Sequence, residues 1–376
     1  MRIRPFRVAA AALVAASLAA CGGDGENGAA APPADSGLEL DPDRPLQPAG
    51  SFTLQERLRI SDGRAAIPRD VAVDGEGYVY VLDATTPSRI LRYHPSGDFD
   101  LQFGTRDTVR ERIVSALEMD LAEWGTMLVA DRGDSAIKTF LTRGLFASLI
   151  PRQESVVLDV HALPEFGEFY LHEWVPSQRR VSVLHMRAPG DSVATTYTVG
   201  IPSRLSIRQE ARAIHFHSTA DRRGRLYVAF MDGYPVRILS PQGTTLGTIG
   251  IQREPIQRTA EEMEREAEEN MVRLLEQVGD VDEEILREAA MPDSTRPVIE
   301  ELVVDPQGRL WVRTNRPDAA DATPYDMFNS DGDYMARVDV PGDVVRTTFS
   351  PAGGLWVLMA DGDVVEYQID AGASAR

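Results

Sequence analysis

Six positions carry the side chains best suited to chemistry: Asp70, Glu118, Asp159, His217, Glu301 and Arg346. They matter as a set, because each opens a short apolar run at the same place in one of six successive segments. If those runs line one channel, four carboxylates meet an imidazole and a guanidinium there. Such a cluster can bind a metal ion, an amine or a sugar, and its members shift one another's pKa values. The plainer reading is a channel mouth that is polar because water fills it. His161, His172, His215 and His217 fall in neighbouring segments, and neutral imidazole suits zinc. Their spacing makes no ligand pattern, since residues two apart on a strand share only a sheet face. No cofactor is expected. A calcium or zinc ion on the channel, with His161 and His217 among its ligands, is the alternative. No nucleophile elbow, phosphate-binding loop or His-Glu-x-x-His motif occurs, and the single cysteine, Cys21, directly follows the leader.

Composition narrows the class of protein. Hydrophobic residues make up 43% of the 376, enough for a packed core and too many for a disordered chain. With 58 acidic against 39 basic side chains, the formal net charge is −19. That excess argues against nucleic acid, whose phosphates need a broad basic face.

The leader predicts an address. Arg2, Arg4 and Arg7 precede an apolar run from Val8 to Ala20. The run is shorter than the roughly 20 residues needed to span a membrane, so residues 1–20 read as a cleaved signal peptide. The segment Leu18-Ala19-Ala20-Cys21 resembles the lipobox of bacterial lipoproteins. That resemblance implies a lipid on the Cys21 thiol and a protein held on the cell envelope. Gly22, standing where Asp would signal retention in enterobacterial sorting, points to the outer membrane with the body facing the periplasm. Residues 21–50, rich in Gly, Ala, Pro and acidic residues without apolar periodicity, read as a flexible tether.

From residue 51 the pattern is β, in short apolar runs separated by turns that recur in phase. Asp74-Gly75-Glu76-Gly77, Asp221-Arg222-Arg223-Gly224 and Asp305-Pro306-Gln307-Gly308 each precede a strand, and looser copies end at Gly125, Gly167 and Gly353. A second turn family, ending at Gly97, Gly144, Gly243 and Gly332, keeps step with the first. Each unit therefore reads as four strands, a to d. First-turn glycines at 77, 125, 167, 224, 308 and 353 give intervals of 48, 42, 57, 84 and 45 residues. Blades of β-propellers run about 40–45 residues, with insertions in loops.

The stretch from Asp70 to Asp83, with Arg89-Ile90-Leu91-Arg92-Tyr93 after it, resembles an NHL repeat, and residues 51–370 resemble the six-bladed, TolB-like propellers. The expected fold is thus an all-β, six-bladed propeller of four-stranded antiparallel blades over 51–376. The resemblance implies protein partners. Asp83 and Arg89 read as a structural loop pair. The last unit lacks a fourth strand, and Ser51 to Ile60 is expected to supply it, closing the ring and covering an open edge.

Residues 254–292 break the β pattern between the fourth and fifth units. Thr259-Ala260-Glu261-Glu262 fits a capping box, and Met263, Ala267, Met271, Leu274, Leu275 and Val278 follow at helical spacing. Gly279 reads as the stop, and Asp282 as the cap of a short second helix carrying Ile285 and Leu286. The insert reads as an arm laying its apolar stripe on the propeller, or else as a lid or partner handle. The expected function is non-catalytic recognition of an envelope protein or small ligand by a monomer. A metal-dependent lyase or hydrolase acting in the acidic channel is the alternative.

Overall fold

Three of the turns that set the repeat are each built by one carboxylate. Asp74 Oδ1 accepts the amides of Glu76 and Tyr78 at 2.9 Å, while Oδ2 takes the Tyr80 hydroxyl at 2.9 Å. Asp221 does the same for Arg223, Arg225 and Tyr227, and Asp305 for Gln307, Arg309 and the Trp311 indole. A short acidic side chain thus closes its own turn and pins an aromatic on the next strand. In the second turn family, Gly243 sits at φ +81°, and a Cβ there would lie 2.5 Å from the Thr196 carbonyl oxygen. Only glycine fits both demands.

The computed structural model describes residues 51–371, apart from 106–107, 109, 153, 164–166, 188–190, 201–215, 231–232, 252, 279–285, 288–289 and 317–319. The leader, Cys21, the tether, His215, Gly279, Asp282 and Ile285 lie outside the described residues.

Strand β1 (Phe52–Ile60) comes first, ahead of the ring. Blade 1 is β2 (Pro68–Val73), β3 (Val79–Asp83), β4 (Arg89–Tyr93) and β5 (Phe99–Phe103). Blade 2 is β6 (Ala116–Ala122), β7 (Thr126–Asp131), β8 (Ala136–Leu141) and β9 (Phe146–Pro151). Blade 3 is β10 (Val156–Ala162), β11 (Glu168–Val175), β12 (Arg180–Arg187) and β13 (Asp191–Gly200). Blade 4 is β14 (Phe216–Ala220), β15 (Leu226–Phe230), β16 (Gly233–Leu239) and β17 (Thr245–Ile249). Helix α1 (Ala260–Val278) follows, then blade 5 as β18 (Ile299–Val304), β19 (Leu310–Thr314), β20 (Ala322–Phe328) and β21 (Tyr334–Pro341). Blade 6 is β22 (Val344–Phe349), β23 (Leu355–Met359), β24 (Val364–Ala371) and, as its outer strand, β1.

All pairings are antiparallel, giving six sheets of four strands. The six inner strands touch in the order β2, β6, β10, β14, β18, β22 and back to β2, so the ring is closed. The expected closure holds: Phe52 pairs with Ala371 and Ile60 with Val364.

Six apolar clusters fill the seams, one per pair of neighbouring blades. Ile90 and Phe103 meet Met127 and Phe140 between blades 1 and 2, for example, and Trp311 and Tyr325 meet Val357 and Tyr367 between blades 5 and 6. A four-stranded blade is too thin to hide its own apolar faces, and packing radially lets each blade bury both. A fully buried aromatic or aliphatic side chain gains roughly 1.5–3 kcal/mol over an exposed one, so the seams carry most of the stability.

In the insert, the capping box forms as the sequence predicts. The Thr259 amide donates to Glu262 Oε2 at 2.9 Å, and the Glu262 amide donates to Thr259 Oγ1 at 3.2 Å. Ala267 is buried, and Met263 and Met271 are half-buried. Polar ties hold the helix to both flanking legs: Arg258 to Glu266 at 3.0 Å on the way in, and Arg296 to Glu262 at 3.2 Å and Asn270 to the Ala290 carbonyl at 3.0 Å on the way back.

Candidate functional site

All six sequence-predicted residues stand on inner strands: Asp70 on β2, Glu118 on β6, Asp159 on β10, His217 on β14, Glu301 on β18 and Arg346 on β22. In five of these strands a register shift immediately precedes the residue. The breaks fall at Pro68/Asp70, Ala116/Glu118, Val157/Asp159, Ile299/Glu301 and Val344/Arg346. A bulge adds one unpaired residue and re-aims the side chain that follows it. The carbonyls at these breaks still need donors. Arg69 Nε supplies the Leu117 carbonyl at 3.3 Å, and Arg313 reaches the Val345 and Glu300 carbonyls at 3.0 and 3.4 Å.

Arg346 gathers the site. Its Nε lies 3.2 Å from Asp70 Oδ1 and 3.6 Å from Glu301 Oε1, and its Nη2 bonds Glu118. Arg313 adds a second cation, 3.7 Å from Glu301 Oε2. Burial alone would lower the Arg346 pKa, but Glu118, Asp70, Glu301 and Asp159 together raise it well above the ordinary value. Burial pushes Glu118 well above the usual carboxylate range; Arg346 opposes this, while Asp70 and Asp159 add to it. Asp70 is raised for the same first reason, against Arg346 and two backbone amides.

The carboxylates also do a backbone task. An inner strand has no neighbour on its axial side, so its outward amides need other acceptors. Asp70 Oδ2 accepts the Met119 amide at 2.7 Å, across the seam to blade 2. Glu301 Oε1 accepts the Thr347 amide at 2.9 Å, across the seam to blade 6. Each bond ends one residue beyond the next blade's own channel residue, Glu118 or Arg346. These side chains stitch blade to blade.

The histidines are engaged in other ways. His161 Nε2 lies 3.3 Å from Asp159 Oδ2 and 2.8 Å from Ser218 Oγ, linking blades 3 and 4. Burial opposes ionisation of Asp159, but His161 outweighs it and holds the carboxyl at about 2. Burial likewise works against His161 protonation, yet Asp159 and Asp120 raise its pKa. His172 stacks on Phe216 with ring centroids 4.1 Å apart. Among the described residues, no three His, Cys, Asp or Glu side chains converge as ligands for a metal ion.

Asp83 and Arg89 are the loop pair expected, 2.8 Å apart, with Asp83 also accepting the Ile67 amide at 2.7 Å. A second inner layer stands two residues further along each strand; beyond His161, which the sequence offered as a metal ligand, sequence reasoning missed its members Ala72, Asp120, Thr219, Val303 and Thr348. Period-2 alternation from Asp70 and its counterparts would have found it. Asp120 is its most acidic member. Its Oδ2 accepts the Ala162 amide at 2.8 Å and its Oδ1 the Leu121 amide at 2.7 Å.

No protein-family model matches this chain, and no curated protein matches it. Solved structures resemble it in fold. A member of the DUF4221 family from Bacteroides vulgatus is 9% identical with a TM-score of 0.55, covering 86% of this chain and 100% of that one. Virginiamycin B lyase from Staphylococcus aureus is 10% identical with a TM-score of 0.49, covering 85% of this chain and 99% of that one. Identities this low speak to architecture alone, and the architecture is the six-bladed β-propeller.

Proposed function

We propose that this chain is an envelope lipoprotein, anchored through Cys21, whose propeller is a non-catalytic binding module. It engages a protein or small ligand on the face that carries the insert. The observation behind this reading is the engagement of the inner carboxylates. Asp70 and Glu301 accept strand amides from the next blade and surround Arg346, so these side chains are committed to the scaffold. The insert joins β17 to β18, so it rises on the side where every inner strand begins. Long loops on a rigid scaffold are where binding residues concentrate.

The test has three arms. Radiolabelled palmitate should enter the wild type and not Cys21→Ser. Pull-down from native envelopes should recover a partner with the intact protein and lose it when residues 258–290 are deleted. Elemental analysis addresses the lyase or hydrolase alternative: stoichiometric zinc or calcium, lost when Asp159 and His217 become alanine, would overturn the non-catalytic reading.

A further inference from the structure

Past the second inner layer, on the face of the a–b turns, the channel opens into a cavity of about 200 Å³. All six blades line it, through Val73, Leu121, Leu163, Thr219, Val304 and Phe349 among others. Its carboxylates differ sharply in company. Asp221 is paired with Arg225 at 2.7 Å, Asp305 with Arg309 at 2.5 Å, and Glu123 with Arg222 at 3.0 Å. Asp120 lines the same cavity and, among the described residues, has no arginine or lysine partner. Each of its oxygens accepts one amide and keeps a lone pair.

We propose that this cavity binds a small organic amine, its ammonium donating to Asp120 and its apolar body lying against Leu121, Leu163, Val303 and Phe349. An anion is disfavoured by the carboxylates around the rim. A bare metal ion would find one carboxylate there without an arginine or lysine partner, far short of the six to eight oxygens calcium takes. A neutral ligand would leave Asp120, half-buried and without a lysine or arginine partner, to His161 alone. Along the axis, Asp70, Glu118, Asp120, Asp159 and Glu301 outnumber Arg346, Arg313 and His161, so an added cation relieves an existing imbalance. Burial pushes Asp120 up to about 6 against the pull of His161 and two amides, as expected of a carboxylate short of positive charge. Arg222 and Glu123, from the turns of blades 4 and 2, meet at the rim with 50% and 56% of their side chains exposed. Such an exposed pair separates at little cost, which gives the ligand an entrance.

This site lies on the opposite face from the insert and does not rest on the reading above. The test titrates the purified protein with benzylamine, and with benzyl alcohol as the uncharged counterpart, by calorimetry and ligand-detected NMR. Benzylamine should bind saturably, and benzyl alcohol at least tenfold more weakly. Benzylamine affinity should fall as pH drops from 7 to 5, as Asp120 takes up a proton and His161, beside Asp159 and Asp120, becomes fully charged. Asp120→Asn should cost at least tenfold. Ala220→Leu, which fills the cavity from blade 4 without touching Asp120, should abolish binding and carries the test if Asp120→Asn fails to fold. Equal affinities for the two probes, unchanged binding in either folded variant, or no saturable binding overturns the proposal.

Discussion

Arg346 Nε and Asp70 Oδ1 lie 3.2 Å apart, joining the last blade to the first at the axis. Glu118 and Glu301 share the same guanidinium. Replacing Arg346 with Met leaves these carboxylates enclosed without their cation. Breaking a buried pair in this way costs about 3–5 kcal/mol. With Arg346 gone, the folded-state pKa values of Asp70 and Glu118, already raised by burial, rise further, so the variant should regain stability on acidification. Urea denaturation at pH 7 and pH 5 reads both effects; identical midpoints for wild type and variant at pH 7 would sink the assignment.

The β1–β24 pairing predicts the effect of trimming. Ile60 is 5% exposed and packs with Leu358 and Val364 of blade 6 and Val71 of blade 1. Ile60→Ala should cost about 2–5 kcal/mol, and deleting residues 51–60 should cost more and bare the β24 edge to aggregation. Calorimetry and light scattering measure the two outcomes. A truncated chain that melts like the full one would refute ring closure by β1.

Asp159 and His161 set an acid limb. Asp159 is held at about 2 from an ordinary 3.8, so its folded pKa is depressed. Its contribution is therefore present above pH 4 and lost as pH falls toward 2, amounting to about 2 kcal/mol. His161 is shifted upward, so its share is present below its unfolded pKa and lost as pH rises through the folded one. Asp159→Asn should flatten the acid limb of a stability–pH curve. A limb of unchanged slope in that variant assigns the acid loss elsewhere.

Asp305 closes a turn and holds an indole. Asp305→Ala removes acceptors for the Gln307 and Arg309 amides and strands the buried Trp311 Nε1–H. A cost of about 2–4 kcal/mol follows, since an unsatisfied buried donor adds to the lost charged bonds. Tryptophan fluorescence should shift to the red as Trp311 loosens, and an unaltered spectrum with an unaltered melt would count against it.

The turn carboxylates explain why so much of the fold was legible. Asp74, Asp221 and Asp305 act locally, within six residues of themselves, so their spacing writes the blade period directly into the sequence. The alternation of Phe52, Leu54, Leu58 and Ile60 likewise announced a strand lacking a neighbour. Positions on the inner strands were legible too, because polar residues interrupt otherwise apolar runs. What those residues touch was not. The bulges before Asp70, Glu118, Asp159, Glu301 and Arg346 arise from ring geometry and leave no local signature. The contact of Asp120 stayed hidden even though alternation places the residue, because its amide partner on Ala162 is 42 residues away and only the neighbouring blade brings it within reach.

Strand β1 has a further consequence, in mechanics. Its first residue, Phe52, pairs with Ala371 at the end of β24 that faces the a–b turns, and the strand then runs toward the insert side. A pull on the chain ahead of residue 51, resisted by a grip on the opposite face, therefore acts along the axis of β1. The interstrand hydrogen bonds share that load in shear instead of opening one by one. An optical trap holding residue 51 and the insert should record a single abrupt rupture rather than a gradual yielding.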